Sequence, residues 1–199
     1  YFPKLCPPSC GLEINFQRIK KNRLVRTYTM TEVKSVSGSP GSYEVTCTTA
    51  PRYVNNNCTC CGACAEACPE EVDDAFNFGL SKHKAIYKPH EMSFPMKYVL
   101  DKDACSGSSL EKIKDACQYD AVELDQEAKE FTLNVDSIIW AAGWNPYDPN
   151  KLDNLKYGES EFIINNMEME RLSSPNGPTS GTILRPGDNK EPESFGFVQ

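Results

Sequence analysis

Apolar positions along this chain come in short alternating blocks separated by turn residues, with few helical stripes. Over residues 11–20, Leu12, Ile14, Phe16 and Ile19 are interleaved with polar residues, a pattern that allows a short helix. Residues 24–29, 32–36 and 43–49 read as strands, and Ser37-Gly38-Ser39-Pro40-Gly41-Ser42 joins the last two as a hairpin turn. The acidic stretch 70–78 predicts a short helix ending at Gly79. Residues 85–87 and 97–100 read as short strands around a proline-containing loop. Ser108 and Glu111 have capping-box spacing and predict a helix to about residue 116. Residues 121–124 and 131–135 read as strands, and the unbroken apolar run Ser137-Ile138-Ile139-Trp140-Ala141 reads as a buried one. Asn165 and Glu168 again have capping-box spacing, for a helix to about residue 172. The Pro/Gly/Ser-rich stretch 173–192 is expected to be a partner surface or a disordered tail.

Bulk composition narrows the classes. The 199 residues fit one domain or two small ones, with an ordinary 39% hydrophobic and 25% charged content. A net charge of −7 offers no basic face for nucleic acid or anionic lipid. The apolar run 138–144 is too short to span a bilayer, and no charged-then-apolar leader is visible. Ten cysteines without a secretion signal fit a reducing cytoplasm, where thiols bind metal instead of pairing. Phe195-Gly196-Phe197-Val198 reads as a strand just beginning, so the chain is expected to be a piece of a longer polypeptide.

Within that background one stretch carries chemistry: Cys58-Thr59-Cys60-Cys61-Gly62-Ala63-Cys64-Ala65-Glu66-Ala67-Cys68-Pro69. Without Cys60 the spacing is C-x2-C-x2-C-x3-C-P, the bacterial-ferredoxin run for a [4Fe–4S] cluster. Thiolates two residues apart on a small-residue loop can cap three corners of a cubane, and Gly62 and Ala63 keep that loop free of bulk. Zinc is the first alternative, although structural zinc usually takes two well-separated ligand pairs, and a disulfide scaffold is the second. Cys60 points elsewhere than its neighbours and reads as a bystander. Cys47, within a strand, reads as packing. His83 and His90, in polar surroundings, read as solvated surface. Cys6 and Cys10, in Cys6-Pro7-Pro8-Ser9-Cys10, could ligate a metal, act as a redox dithiol, or be inert.

A two-cluster ferredoxin repeats its motif and lets each motif's fourth cysteine ligate the other motif's cluster. The repeat here would end at Cys117 and begin near Cys105, but Leu110 and Ile113 stand where its middle cysteines belong. The first cluster would keep Cys58, Cys61, Cys64 and Cys117. The second would keep only Cys105 and Cys68, too few for a cubane. One cluster is therefore expected, with Cys68 as the rival fourth ligand.

The segment Ile138-Ile139-Trp140-Ala141-Ala142-Gly143-Trp144-Asn145-Pro146 is similar to the strand-then-A-x-G-x-x-P segment of flavin disulfide-reductase-like proteins, and no G-x-G-x-x-G pyrophosphate turn accompanies it. Taken in order, the CPPSC loop, Gly11-Leu12-Glu13-Ile14-Asn15, the hairpin, the ferredoxin run and the Ala-Ala-Gly strand resemble the A-type subunits of heterodisulfide reductases. Glu170-Arg171-Leu172, Pro175-Asn176-Gly177-Pro178 and Ile183-Leu184-Arg185-Pro186 extend that resemblance along the chain. It is closer to the A-type subunits of the quinone-interacting membrane-bound oxidoreductase complexes of sulfate reducers. The resemblance implies an α+β fold with a ferredoxin-like [4Fe–4S] insert over residues 54–125. Residues 1–53 and 126–199 would flank it as strands of a thioredoxin-reductase-like FAD-binding α/β domain. FAD would meet Ala141, Ala142 and Gly143 in the full-length protein. The implied function is electron transfer between FAD and partner redox subunits, including a membrane quinone-reactive one, and supply of electrons to adenylylsulfate reductase. The setting would be cytoplasmic or peripheral on the inner membrane through those partners. The alternatives are a true heterodisulfide reductase A-type subunit and a non-redox module stapled by a structural metal.

Overall fold

The computed structural model describes residues 9–198, with side chains from Gly11 onward. Cys6 and the Cys10 side chain lie outside the described residues. In chain order the helices and strands are α1 (Ser9–Lys21), β1 (Thr31–Ser39), β2 (Ser42–Thr49), α2 (Ala63–Ala67), β3 (Glu71–Asp73), β4 (Lys82–Lys84), β5 (Ile86–Tyr87), β6 (Val99–Leu100), α3 (Gly107–Asp115), β7 (Lys129–Val135) and α4 (Asn166–Ser173). They fall into two compact units, one joining residues 11–71 to 84–143 and the other joining residues 72–83 to those from 144 onward. No helix among the described residues is long and apolar enough to cross a membrane.

In the first unit, an antiparallel sheet has the order β1-β2-β7. Pro40 and Gly41 alone make the β1–β2 turn, with Gly41 at φ +90°, the conformation a proline–glycine type II turn requires. Val45 and Cys47 of β2 are buried, and Cys47 lies opposite Phe131 of β7. Residues 24–29 form no strand. Asn22 takes over that backbone, its side chain accepting from the Leu24 N–H and its carbonyl from the Val25 N–H, and Leu24 is left exposed.

Beside the sheet, Ile86 of β5 and Ile113 of α3 are fully buried, with Ala85, Leu100 and Ala121 around the same core. Burying each isoleucine contributes about 1.5–3 kcal/mol. The β5–β6 pair is antiparallel, and Asp101 N donates to Ala85 O at 2.7 Å. Helix α3 starts earlier than the Ser108 spacing implies, because the Ser106 side chain accepts from the Ser109 N–H and caps it. Residues 121–124 supply only a bridge, Val122 to Val54, instead of a strand. That bridge is reinforced by Asn55 N donating to Ala121 O at 2.8 Å and Glu123 N donating to Tyr53 O at 3.0 Å. The segment entering the cysteine run is thereby fastened to the segment leaving Cys117.

The run 137–141 is not a buried strand. Ile139 is 90% and Trp140 71% exposed, and no strand among the described residues pairs with it. A central strand needs neighbours on both sides for its backbone groups, and this unit supplies none.

The second unit rearranges the acidic stretch expected as a helix. Asp74 accepts from the Phe76 and Asn77 N–H groups, which closes a 3-10 turn over residues 75–77 and lets β3 pair with β4 as a hairpin. His83 of β4 is half-buried, with Nε2 4.0 Å from Asp74 Oδ1, so it is not the solvated surface residue expected. His90, in the first unit, is also half-buried and accepts at Nδ1 from the Met92 N–H. Helix α4 carries the full capping box, with Asn165 accepting from the Met167 and Glu168 N–H groups and Glu168 from the Asn165 N–H. The Arg171 guanidinium lies 4.5 Å over the Phe76 ring and donates to Asn77 Oδ1 at 2.8 Å. The stretch 173–192 is hydrogen-bonded loop, not a disordered tail: Thr179 Oγ1 donates to Leu172 O and Arg185 N to Lys190 O. Gly177 is held there by a close approach, since a Cβ would sit 1.8 Å from Arg171 O. A cavity of about 440 Å³ in this unit is lined by Tyr157, Glu168, Leu172 and Arg185 among others.

Candidate metal centre

The cysteine run folds as a loop feeding one short helix. Cys60 takes φ +58° and Gly62 φ +93°, two left-handed residues within three positions. Gly62 then becomes the N-cap of α2, which carries Cys64 on its buried side. Lys97 secures the loop from outside, donating to the carbonyls of Asn56 and Cys58.

This geometry sorts the cysteines into two places. Cys58, Cys61 and Cys64 line a small cavity together with Cys117, which arrives 59 positions after Cys58 along the segment tied down by the Val54–Val122 bridge. Val54, Tyr98, Ala121 and Val122 provide an apolar and aromatic wall. Cys58 and Cys64 are buried, Cys117 half-buried and Cys61 exposed. Cys60 lines the same cavity, but its Sγ donates to the Met96 carbonyl at 3.2 Å. Cys68, although only four residues from Cys64, is turned away. Its sulfur lies with Glu70 and Cys105, the three ligand atoms all within 4.8 Å of one another.

Electrostatics mark the cavity as a place that resists uncompensated thiolates. Burial, with the Cys58 and Cys117 thiols adding to it, pushes the Cys64 thiol up to about 11. Burial and the neighbouring Cys58 also raise Cys60, and burial with Cys64 raises the Tyr98 phenol. Two backbone N–H groups are already aimed at sulfur: Ala121 N donates to Cys117 Sγ at 3.3 Å and Cys60 N to Cys58 Sγ at 3.4 Å. Such bonds stabilise a sulfur that carries negative charge.

The spacing of the sulfurs discriminates between metals. Around one tetrahedral zinc, with Zn–S bonds of about 2.3 Å, sulfurs lie about 3.8 Å apart. Among the described residues, only Cys68, Glu70 and Cys105 gather three ligand atoms within 4.8 Å. The four cavity thiols are spread more widely, around a space instead of a point. This donor set suits a polynuclear iron–sulfur group better than a single ion.

The segment expected to meet a flavin forms no cradle here. Ala141, Ala142 and Gly143 are exposed, and a Cβ on Gly143 would meet nothing within 4 Å. Only its φ of +71° asks for glycine. The pairing of Glu70 with Ser106 and Ser109 has no signature in the local sequence. The one available signal was Glu70's position two residues past Cys68.

No protein-family model matches the chain. Among curated proteins it is 41% identical over 176 residues to the A-type iron–sulfur subunit of the CoB–CoM heterodisulfide reductase of Methanocaldococcus jannaschii, covering 88% of this chain and 26% of that protein. It is 34% identical over 198 residues to the A-type subunit of the H(2):CoB–CoM heterodisulfide,ferredoxin reductase of Methanothermobacter marburgensis, covering 99% of this chain and 30% of the relative. A third relative, the A-type subunit of the ferredoxin:CoB–CoM heterodisulfide reductase of Methanosarcina acetivorans, is 35% identical over 182 residues, 90% of this chain and 23% of its own length. The chain thus spans about a quarter of the curated relatives it matches. All three relatives are named as subunits of heterodisulfide reductases. They favour the heterodisulfide reductase reading over the quinone-linked, sulfate-reducing one.

Proposed function

We propose that this chain is the iron–sulfur relay portion of a heterodisulfide reductase A-type subunit, holding one [4Fe–4S] cluster on Cys58, Cys61, Cys64 and Cys117. The observation that carries the reading is the convergence on one cavity of Cys117 with the three early cysteines of the run, while Cys68 turns elsewhere. A cubane on these thiolates supplies one-electron transfer between partner redox groups. The chain's own contribution is placement and tuning. Val54, Val122 and Tyr98 keep water from the buried sulfurs, and the Ala121 and Cys60 N–H groups stabilise negative charge on Cys117 and Cys58. With a cluster bound, the exposed Cys61 would stand on its solvent-facing side.

The flavin belongs to the reading of the complete protein. It rests on the Ala141-Ala142-Gly143 resemblance. A quinone-reactive partner and adenylylsulfate reductase belong to the quinone-linked variant, which the relatives' names do not favour.

The test is anaerobic purification followed by iron and sulfide analysis and visible spectroscopy. A broad visible band that bleaches with dithionite is expected. A colourless protein carrying zinc in the Cys58–Cys117 cavity would sink the proposal in favour of a structural metal.

A further inference from the structure

The second thiol group is built as a metal site in its own right. Cys68 Sγ, Cys105 Sγ and a Glu70 carboxylate oxygen lie within 4.8 Å of one another, with Cys68 only 1% exposed. Glu70 is held for this position. Its Oε1 accepts from Ser109 Oγ at 2.5 Å and from Ser106 N and Oγ, both at 3.3 Å. Ser109 is itself buried, at 3% exposure. With Oε1 occupied by three donors, Oε2 is left to face the thiols, 3.8 Å from Cys68 Sγ. A carboxylate oriented by donors on its far oxygen is the outer-shell arrangement that fixes a metal ligand.

We propose that Cys68, Cys105 and Glu70 bind a single zinc(II) ion, with water as the fourth ligand. The choice of a single ion follows from the distances. Ligand atoms this close converge on a point, as tetrahedral zinc with bonds of about 2.0–2.3 Å requires, and leave no room for a cubane. Two sulfurs and one oxygen favour a borderline-soft cation over magnesium or calcium. Ile113 of α3, at a position where a second cluster motif would carry cysteine, is fully buried and cannot serve as a ligand. Cys105 is half-buried, which leaves a side from which water completes the tetrahedron. The site is independent of the cluster on Cys58, Cys61, Cys64 and Cys117, because no residue is shared.

The experiment uses the complete protein, purified anaerobically and equilibrated with one equivalent of zinc per chain. Zinc and iron are quantified, and the zinc-edge X-ray absorption is compared between wild type and Cys105→Ser. The expected result is a zinc shell with two sulfurs at about 2.3 Å and oxygens at about 2.0–2.2 Å. Cys105→Ser should lose one zinc per chain with iron and visible absorption unchanged, so failure here is separable from failure of the cluster reading. Ser109→Ala should weaken zinc binding about 10–100-fold without removing a ligand, the effect of an outer-shell partner. The proposal is overturned by a four-sulfur zinc shell, by zinc content indifferent to Cys105→Ser, or by a Cys68–Cys105 disulfide in zinc-equilibrated protein. Should Cys105→Ser fail to fold, the wild-type zinc shell decides alone: two sulfurs sustain the site, and any other count overturns it.

Discussion

Cys64 and Cys68 are one helical turn apart in sequence and serve different places in the fold. Cys64, inside α2, lines the cavity that Cys117 completes. Cys68, the residue that ends the helix, takes extended backbone (φ −84°, ψ 116°), and its sulfur lies with Cys105 and Glu70. Ending the helix there divides one cysteine run between two groups.

The division sets the outcome of ligand mutagenesis. Cys117→Ser should strip or destabilise the cluster, although Cys117 is 59 positions from Cys58. Cys68→Ser should leave the iron content near wild type. Iron analysis and the visible spectrum of the two variants check this. Iron lost from Cys68→Ser and kept in Cys117→Ser would reverse the assignment.

Stoichiometry is a second check. The chain, purified without air, should carry about four irons, one cubane. The Cys68 group offers two sulfurs and a carboxylate, gathered too closely for a second cubane. Eight irons per chain would mean that these residues, or Cys6 and Cys10, build a cluster with additional ligands.

Flavin content separates the chain from the complete protein. The purified chain should carry no stoichiometric FAD, because it lacks a glycine-rich pyrophosphate turn and its Ala141–Gly143 segment is exposed. The complete protein should bind FAD and lose it on Gly143→Val. Flavin fluorescence after denaturation measures both. Normal FAD in the full-length variant would leave the Ala-Ala-Gly segment with no role at a flavin.

What the sequence revealed, and what it hid, follows from how local each signal is. The Asn165–Glu168 capping box and the Pro40–Gly41 turn are contained in a few residues and were legible. The selective loss of two cysteines from the second motif is the sequence signal that pointed to Cys117 beside Cys58, Cys61 and Cys64, which line one cavity, and their holding of a cluster is the proposal. The run 137–141 misled, since apolar character reports what a segment buries only when its partners are present. The stretch 70–78 misled because a single side chain, Asp74, captured two backbone donors. Glu70 was invisible because its role depends on Ser106 and Ser109, more than thirty positions away.

The buried thiols make a further prediction for the metal-free protein. An ordinary cysteine has a pKa of 9.0, whereas burial and neighbouring thiols raise Cys64 to about 11. Burial, with Cys68 and Glu70 nearby, raises Cys105 to about 12. A raised thiol pKa means that the folded chain holds its proton more tightly than the unfolded chain does. Between about pH 9 and 11 the unfolded state therefore binds fewer protons, and stability falls as pH rises. Below pH 9 both states are protonated and these groups contribute no slope. Denaturant unfolding of the apo protein should show a midpoint that is flat from pH 7 to about 8.5 and declines steadily above 9. Cys64→Ala should flatten part of that decline, and Cys64→Ala with Cys105→Ala should flatten more. A midpoint independent of pH up to 11 would mean that these thiols are not held in the folded protein as the structure places them.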